Sequence, residues 1–396
     1  MQVYLDNAAT TAMSQAAVDA MTPYFREAYG NPSSLHSMGQ RAKEVLEEAR
    51  AKVAACLGAD VGEIYFTSGG SEADNQAILS AAEIGKRKGK KHIVTTAFEH
   101  HAVLHTLKKL EKEGFEVTYL SVGREGNVTP AQVADAIRED TCLVTVMTAN
   151  NEIGSVLPIA AIGAVCRERK VLFHTDAVQA VGHVPVDVAA MHADMLSLSA
   201  HKFHGPKGVG VLYARKGVAL THLIEGGAQE RGKRAGTENI AGVVGLATAL
   251  EEATVHLAEN MAKVAALRDR LIEGLRAIPH SVLNGDKQNR LPGNVHFCFE
   301  GIEGESLLLL LDEYGIEASS GSACTSGSLD PSHVLLAIGH PHEIAHGSLR
   351  LTLSEYTTAE EIDYALDIIP KVVDRLRNMS PVWRDKITGK KPFILK

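Results

Sequence analysis

Lys202 stands between two histidines in "SLSAHKFHGPKGVG" (197–210), after an apolar run and before a Gly-Pro turn. Most lysines sit among other charges on amphipathic faces. A lysine at the end of a buried strand is partly desolvated, which disfavours its charged form and makes its amine a nucleophile. Ser199 and His201 flank it and could donate to an anion. In "FTSGGSEADN" (66–75) a strand runs into Ser68-Gly69-Gly70-Ser71, and a helix opens there. Glycines let the backbone approach a ligand closely, and the free N–H groups of a first helical turn favour phosphate. In "FHTDAVQAVG" (173–182) Asp176 follows an apolar strand, at the edge where open α/β sheets bind ligands. An acid there could hold a cationic ring nitrogen. Each stretch also has a plainer reading. The first is then a snorkelling lysine, the second a strand-to-helix turn with Ser71 as cap and Asp74 as first-turn acid, and the third a helix cap.

Together the three form a consistent set: an amine, a phosphate cradle and an acid, all at strand carboxyl ends. Those are the parts a pyridoxal phosphate site needs. Two further residues extend the set. Cys324 lies in the Ser/Gly-rich stretch of "EASSGSACTSGSLDPSHVL" (317–335), where an accessible thiol outside any pair is a liability unless it is used. Arg350, in "GSLRLTLS", could clamp a carboxylate with both arms of its guanidinium, or serve as an ordinary strand-edge charge. "HEIAH" (342–346) matches the zinc-peptidase signature H-E-x-x-H. Pro341 and Gly347 confine it to barely one helical turn, so no metal site is expected there.

These residues need a frame. Strand-like and helix-like stretches alternate from "EIYFTSG" through "VLFHTDA", which predicts a mostly parallel sheet covered on both faces. From Asn239 to Ile278 one long helical stretch follows, with room for a break. Mixed strands and helices come after it, suiting a smaller α+β domain. The expected division is a large domain over 14–255 and a small one built from 1–13 and 256–396.

The 396 residues, 45% hydrophobic and 22% charged, describe a globular protein with a large core. A net charge of −8 argues against nucleic acid as the main ligand. No basic start precedes an apolar run, and the longest aliphatic run, Leu307–Leu311, is far too short to span a bilayer. Neither a targeting segment nor a membrane role is therefore expected. Cys56, Cys142, Cys166, Cys298 and Cys324 are scattered without CxxC spacing, which suits a reducing cytoplasm. The first four lie in apolar or helical surroundings, as inert core thiols do.

Across nearly its whole length the chain resembles the class I cysteine desulfurases, the NifS/IscS-like branch of fold-type I pyridoxal phosphate enzymes. The resemblance is carried by "YLDNAATT", "NPSSLH", "FTSGGSEADN", "EHHAVL", "ANNEIGS", "HTDAVQA", "SLSAHKFHGPKGVG", "RAGTEN", "SSGSACTSGSLDPSHVL" and "HGSLRLTLS". It implies an aminotransferase-like fold with a seven-stranded sheet, and conversion of L-cysteine to L-alanine with sulfur passed on as a persulfide. Lys202 falls on the Schiff-base lysine. His100 would stack on the cofactor ring and move protons, with His101 the lesser candidate. Asn151 and Gln179 would bond near the phenolic oxygen, Asn151 also near the substrate, and Asp176 would pair with the ring nitrogen. Gly70, Ser71, Ser199 and His201 would bind the phosphate. Thr237 would reach the phosphate of a neighbouring subunit in a homodimer, Arg350 would hold the substrate carboxylate, and Cys324 would accept the sulfur. The sulfur would then pass to an iron–sulfur scaffold or another acceptor protein. Gly70-Ser71 replaces the Ala-Thr of many relatives, and the tail "SPVWRDKITGKKPFILK" departs from the tail that docks the scaffold in the housekeeping branch. A selenocysteine lyase would use the same parts. A sulfur-relay protein without turnover is the non-enzymatic alternative, and the intact Lys202, Asp176, His100 and Cys324 argue against it.

Overall fold

Thr141–Thr145 and Met195–Ser199 are buried at every residue, as a strand covered on both faces must be. The computed structural model describes residues 1–320 and 331–395. In chain order the strands are β1 (Val3–Tyr4), β2 (Ile64–Thr67), β3 (His92–Thr96), β4 (Glu116–Leu120), β5 (Thr141–Thr145) and β6 (Leu172–Asp176). There follow β7 (Met195–Ser199), β8 (Gly210–Ala214), β9 (Ser281–Leu283), β10 (Asn294–Phe299), β11 (Ile316–Glu317) and β12 (Ser348–Thr352).

Strands β2 to β8 form one seven-stranded sheet in the order β2-β8-β7-β6-β5-β3-β4. Strands β3 to β7 pair in parallel, and β8 runs antiparallel to both of its neighbours. The expected mostly parallel sheet is present. Parallel neighbours require crossovers, which helices His101–Lys112 (β3 to β4) and Ile159–Arg169 (β5 to β6) supply, while Gly70–Arg87 carries the chain from β2 to β3. Gly70–Arg87 buries Ala73, Ala77, Ile78 and Ala81 completely and ends on Lys86 and Arg87, which complement the helix dipole. In His101–Lys112 the buried Val103, Leu107 and Leu110 recur at helical spacing.

The 239–278 stretch is two helices, Ile240–Val255 and Leu257–Arg276, bent by 74°. His256 makes the break by leaving helical geometry at φ −96°, ψ 7°. Among the described residues no single helix is long and apolar enough to cross a membrane. Strands β12-β10-β9 form a separate antiparallel sheet. Phe297, Phe299, Leu307, Leu311, Leu351, Ile362 and Ile369 make one buried cluster around it, and Val3 and Leu5 of the N-terminal arm belong to that cluster. β1 pairs in parallel with β11, placing Val3 opposite Ile316.

The C-terminal tail folds back on this region. Lys386 donates to the fully buried Glu300 at 2.6 Å and to Glu343 at 2.8 Å. Glu300 also accepts the N–H groups of Ile394 and Leu395, both at 2.8 Å. Phe393 stacks on His280 with ring centres 3.7 Å apart. Glu300→Ala strands a buried ammonium and two N–H groups, and should cost about 3–5 kcal/mol. Glu343→Ala, at a half-exposed carboxylate, should cost at most about 1 kcal/mol. Chemical denaturation compares the two, and proteolysis should cut the tail only in the first.

Candidate active site

The carboxyl ends of β2, β5, β6 and β7 and the loop after β3 open on one cavity of about 410 Å³. Its walls include Gly70, Ser71, His100, Asn151, Asp176, Gln179, Ser199, His201, Lys202 and Arg350. Ten residues singled out in the sequence therefore meet at one place. Glycine backbone shapes the end of the cavity at the helix start. Gly69 has φ +155°, and a Cβ built on Gly70 would lie 2.6 Å from Val178 Cγ2. At that spacing a larger residue at position 70 would require Val178 to shift. The helix cap is Gly69 and the first-turn acid is Glu72, correcting the plain reading of Ser71 as cap and Asp74 as first-turn acid. Asp74 lies deeper, in the cavity wall.

Lys202 ends a short 3₁₀ turn, Ala200–Lys202, that follows β7. Its Nζ donates to the carbonyls of Ala8 at 2.7 Å and Ala9 at 2.8 Å. Gln179 Nε2 donates to the same Ala8 oxygen at 2.9 Å. His201 shares a hydrogen bond with Thr10 at 3.1 Å. At the far wall Arg350, 3% exposed, donates to Asp6 Oδ1 at 2.9 Å and to the carbonyl of Asn151 at 3.1 Å. Its Nε is buried without a hydrogen-bond partner among the described residues.

Burial decides the protonation states. It pushes His100 down to about 4, helped by the charge of Lys202, and His201 likewise to about 4. Both rings are neutral near pH 7. His100 Nδ1 accepts the N–H of Ala102 at 3.2 Å and caps the helix, so its proton sits on Nε2. Asp176 accepts the Val178 N–H at 2.9 Å through Oδ1. Burial raises its pKa to about 6, and the N–H and Lys202 oppose that rise.

Neighbours with similar side chains have separate jobs. Asn150 is spent on the Phe98 carbonyl and on the N–H groups of Glu152 and Ile153, while Asn151 lines the cavity. His101 lies outside the cavity wall and packs against His105 and His333. Thr237 is exposed and lines no part of this chain's own cavity. It sits on a loop tied down by Arg234, which donates to Glu72 at 2.9 Å. Cys324 lies outside the described residues. Burial lifts Cys142 to about 11, and Cys166 and Cys298 to about 12, so these thiols stay protonated. The H-E-x-x-H match lies on a single four-residue turn, His342–Ala345, whose Glu343 is engaged by Lys386. Sequence reasoning missed Asp6 and the carbonyls of Ala8 and Ala9. All three lie in "YLDNAATT", and that motif was the available signal.

The model of the aminotransferase class-V family matches residues 3–365. A Clostridium botulinum protein named cysteine desulfurase IscS is 55% identical over 392 residues, 98% of each chain. A solved structure titled NifS-like protein is 40% identical and superposes with a TM-score of 0.89, covering 95% of this chain and 100% of its own. Another, titled SspA in complex with cysteine, is 36% identical with a TM-score of 0.80, covering 90% and 100%.

Asp6→Ala takes the carboxylate from a buried guanidinium and should cost roughly 3 kcal/mol. Thermal and chemical unfolding measure the loss. Asp6→Asn, which keeps an acceptor oxygen, should recover part of it.

Proposed function

The chain belongs to the aminotransferase class-V family, among its cysteine desulfurases, and from that membership we propose how its cavity divides the work. The reaction is L-cysteine plus an enzyme thiol giving L-alanine plus an enzyme persulfide, with pyridoxal phosphate as cofactor. One observation carries this reading: an amine, a buried acid, a glycine cradle at a helix start and a buried guanidinium converge on one cavity of about 410 Å³.

The residues present fit that cofactor. The Gly69–Ser71 loop and the opening turn of Gly70–Arg87 offer N–H groups to a phosphate, with Ser199 and His201 beside them. Asp176, one oxygen already engaged by Val178, has the other to offer a ring nitrogen. Gln179 and Asn151 would bond near the phenolic oxygen. When bound, pyridoxal phosphate supplies a carbonyl that captures amines and an electron sink for charge developing at the substrate α-carbon.

The chain's own groups do the rest. Lys202 would hold the cofactor and later take a proton at Nζ, leaving the two arm carbonyls that position it. The neutral ring of His100, with its proton on Nε2, would donate that proton toward the substrate sulfur. Arg350 would grip the substrate carboxylate, and Asn151 would help orient it. Cys324 Sγ would attack the substrate sulfur. The carbon–sulfur bond breaks, a sulfur–sulfur bond forms, and the carbon skeleton takes up protons to leave as alanine. Both flanks of the Cys324 segment support this role. Ser319 pairs with Arg350 through backbone hydrogen bonds, and Ser332 donates to Glu152, the neighbour of Asn151.

Downstream, the persulfide would supply a scaffold for iron–sulfur clusters or another acceptor protein. The cysteine usage supports a cytoplasmic setting. A division into 14–255 and 1–13 with 256–396 fits the separate apolar cluster around β10. A homodimer fits the outer side of the cradle, where Ser68–Glu72, His201 and Lys207 border a recess of about 400 Å³ that a second subunit could close with Thr237.

Two variants test the division of labour. Lys202→Ala should lose all alanine formation. Cys324→Ala should still give the visible spectral change on adding L-cysteine, yet lose at least about 100-fold in alanine and persulfide, a loss of roughly 2.7 kcal/mol in transition-state stabilisation. Wild-type alanine formation by Cys324→Ala would favour direct elimination, as in a selenocysteine lyase.

Mixed dimers test the cross-subunit role. A Thr237→Val chain paired with a Lys202→Ala chain should retain one complete site and about half of wild-type turnover, because the intact Lys202 receives an intact Thr237 from its partner. Turnover no higher than half that of a Thr237→Val homodimer would assign Thr237 to its own chain's site.

A further inference from the structure

Asp74 is the second acid in the cavity wall, and the chemistry above does not use it. It lies one turn into helix Gly70–Arg87 and is 1% exposed. Its carboxylate, that of Asp176 and a ring nitrogen of His100 lie within 4.8 Å of one another. Among the described residues Asp74 Oδ1 has no hydrogen-bond partner. His174 Nε2, on β6, is 3.6 Å from that oxygen. The His174 ring brings no charge to it. It is fully buried between the hydroxyls of Thr145, at 2.8 Å from Nδ1, and Ser197, at 2.9 Å from Nε2, and burial pushes its pKa down to about 3.

The other charged and titratable groups facing Asp74 come from three places. Asp176 ends β6, Glu99 and His100 precede helix His101–Lys112, and Lys202 follows β7. Glu99 is fully buried, accepts the Thr96 hydroxyl at 2.6 Å and the Met147 N–H at 3.0 Å, and is itself raised to about 8 by burial. Three buried acids therefore lie close together, with Lys202 among the cations of the cavity wall. Two facing carboxylates at this spacing cannot both ionise cheaply away from water.

We propose that Asp74 is a positioning residue that stays a neutral carboxylic acid beside Asp176, so that the pair presents a single negative charge to the ring nitrogen of the cofactor. Burial, and then the charge of Asp176, push its carboxyl well above the usual carboxylate range. A doubly ionised pair would suit a divalent cation, whereas a singly charged pair matches one protonated ring nitrogen. This role rests on the cofactor reading above, but its test uses cofactor-free enzyme. Its failure would leave that reading standing, since L-cysteine-dependent alanine formation decides the latter separately.

The test has two parts. Infrared spectra of cofactor-free enzyme carrying ¹³C-labelled aspartate should show, at pH 7, a protonated-carboxyl band that moves with the label. The aspartate label separates it from any signal of Glu99. The band should vanish in Asp74→Asn and persist in Asp176→Asn, and the latter variant makes the assignment if the former does not fold. The second part is thermal unfolding between pH 4.5 and 8. An acid whose pKa is raised by folding holds more protons folded than unfolded between the two values, so its contribution to stability falls as pH rises above about 4. Asn carries no such penalty. Cofactor-free Asp74→Asn should therefore gain on the wild type as pH rises, the difference in Tm widening by about 3 °C or more. A missing band in the wild type at pH 7, or a Tm difference that stays flat with pH, overturns the proposal.

Discussion

The amine on which the site centres is held by two backbone carbonyls, those of Ala8 and Ala9, and both belong to the N-terminal arm. That contact requires the arm to be fixed. Leu5 is fully buried, which stabilises by about 1.5–3 kcal/mol. Asn7 Nδ2 donates to the Thr352 carbonyl at 2.8 Å, and Asp6 pairs with Arg350. On the other side Thr11 donates to the His201 carbonyl and accepts the N–H of His204. The arm thus joins the large sheet to the small one across the cavity. When Lys202 moves it gives up hydrogen bonds to these two neutral carbonyls, each of modest net strength.

The same low-polarity surroundings act oppositely on acids and bases. They keep His100, His174 and His201 neutral and hold protons on buried acids and thiols. Negative charge is concentrated at Asp176, whose N–H partner and nearby Lys202 offset part of the burial cost. The site distinguishes its carboxyl groups by environment, because by residue type they are nearly alike.

Much of this was legible in the sequence, for a physical reason. Lys202, Asp176 and the Gly69-Gly70 loop each follow a buried strand, and strand ends in a parallel sheet converge on one edge. The glycines carry their own signal, since a Cβ at Gly70 meets Val178. Pro341 and Gly347 likewise limit "HEIAH" to one turn, a restriction that local sequence alone carries. Other features leave no such trace. The carbonyls of Ala8 and Ala9 are backbone atoms, so side-chain type says nothing about them. Asp74 looked like a first-turn acid because local spacing cannot say how deep a helix start is buried. The docking of the tail on Glu300 depends on residues 86 positions apart in sequence, beyond the reach of any local pattern.

The arm also orders events during synthesis. Its anchors lie at the far end of the chain: β1 pairs with β11, and Asn7 bonds to Thr352 across 345 positions. While the ribosome is still making the C-terminal third, the strands that carry Asp176 and Lys202 are already out and their sheet can assemble. The residues that fix the start of the arm, Val3 to Asn7, still lack their partners on β11 and at Thr352. Long-range closures of this kind come late, because the chain must lose loop entropy before any contact compensates. The carbonyl seat for Lys202 is therefore completed only when nearly the whole polypeptide exists, and an interrupted chain carries its lysine without that seat.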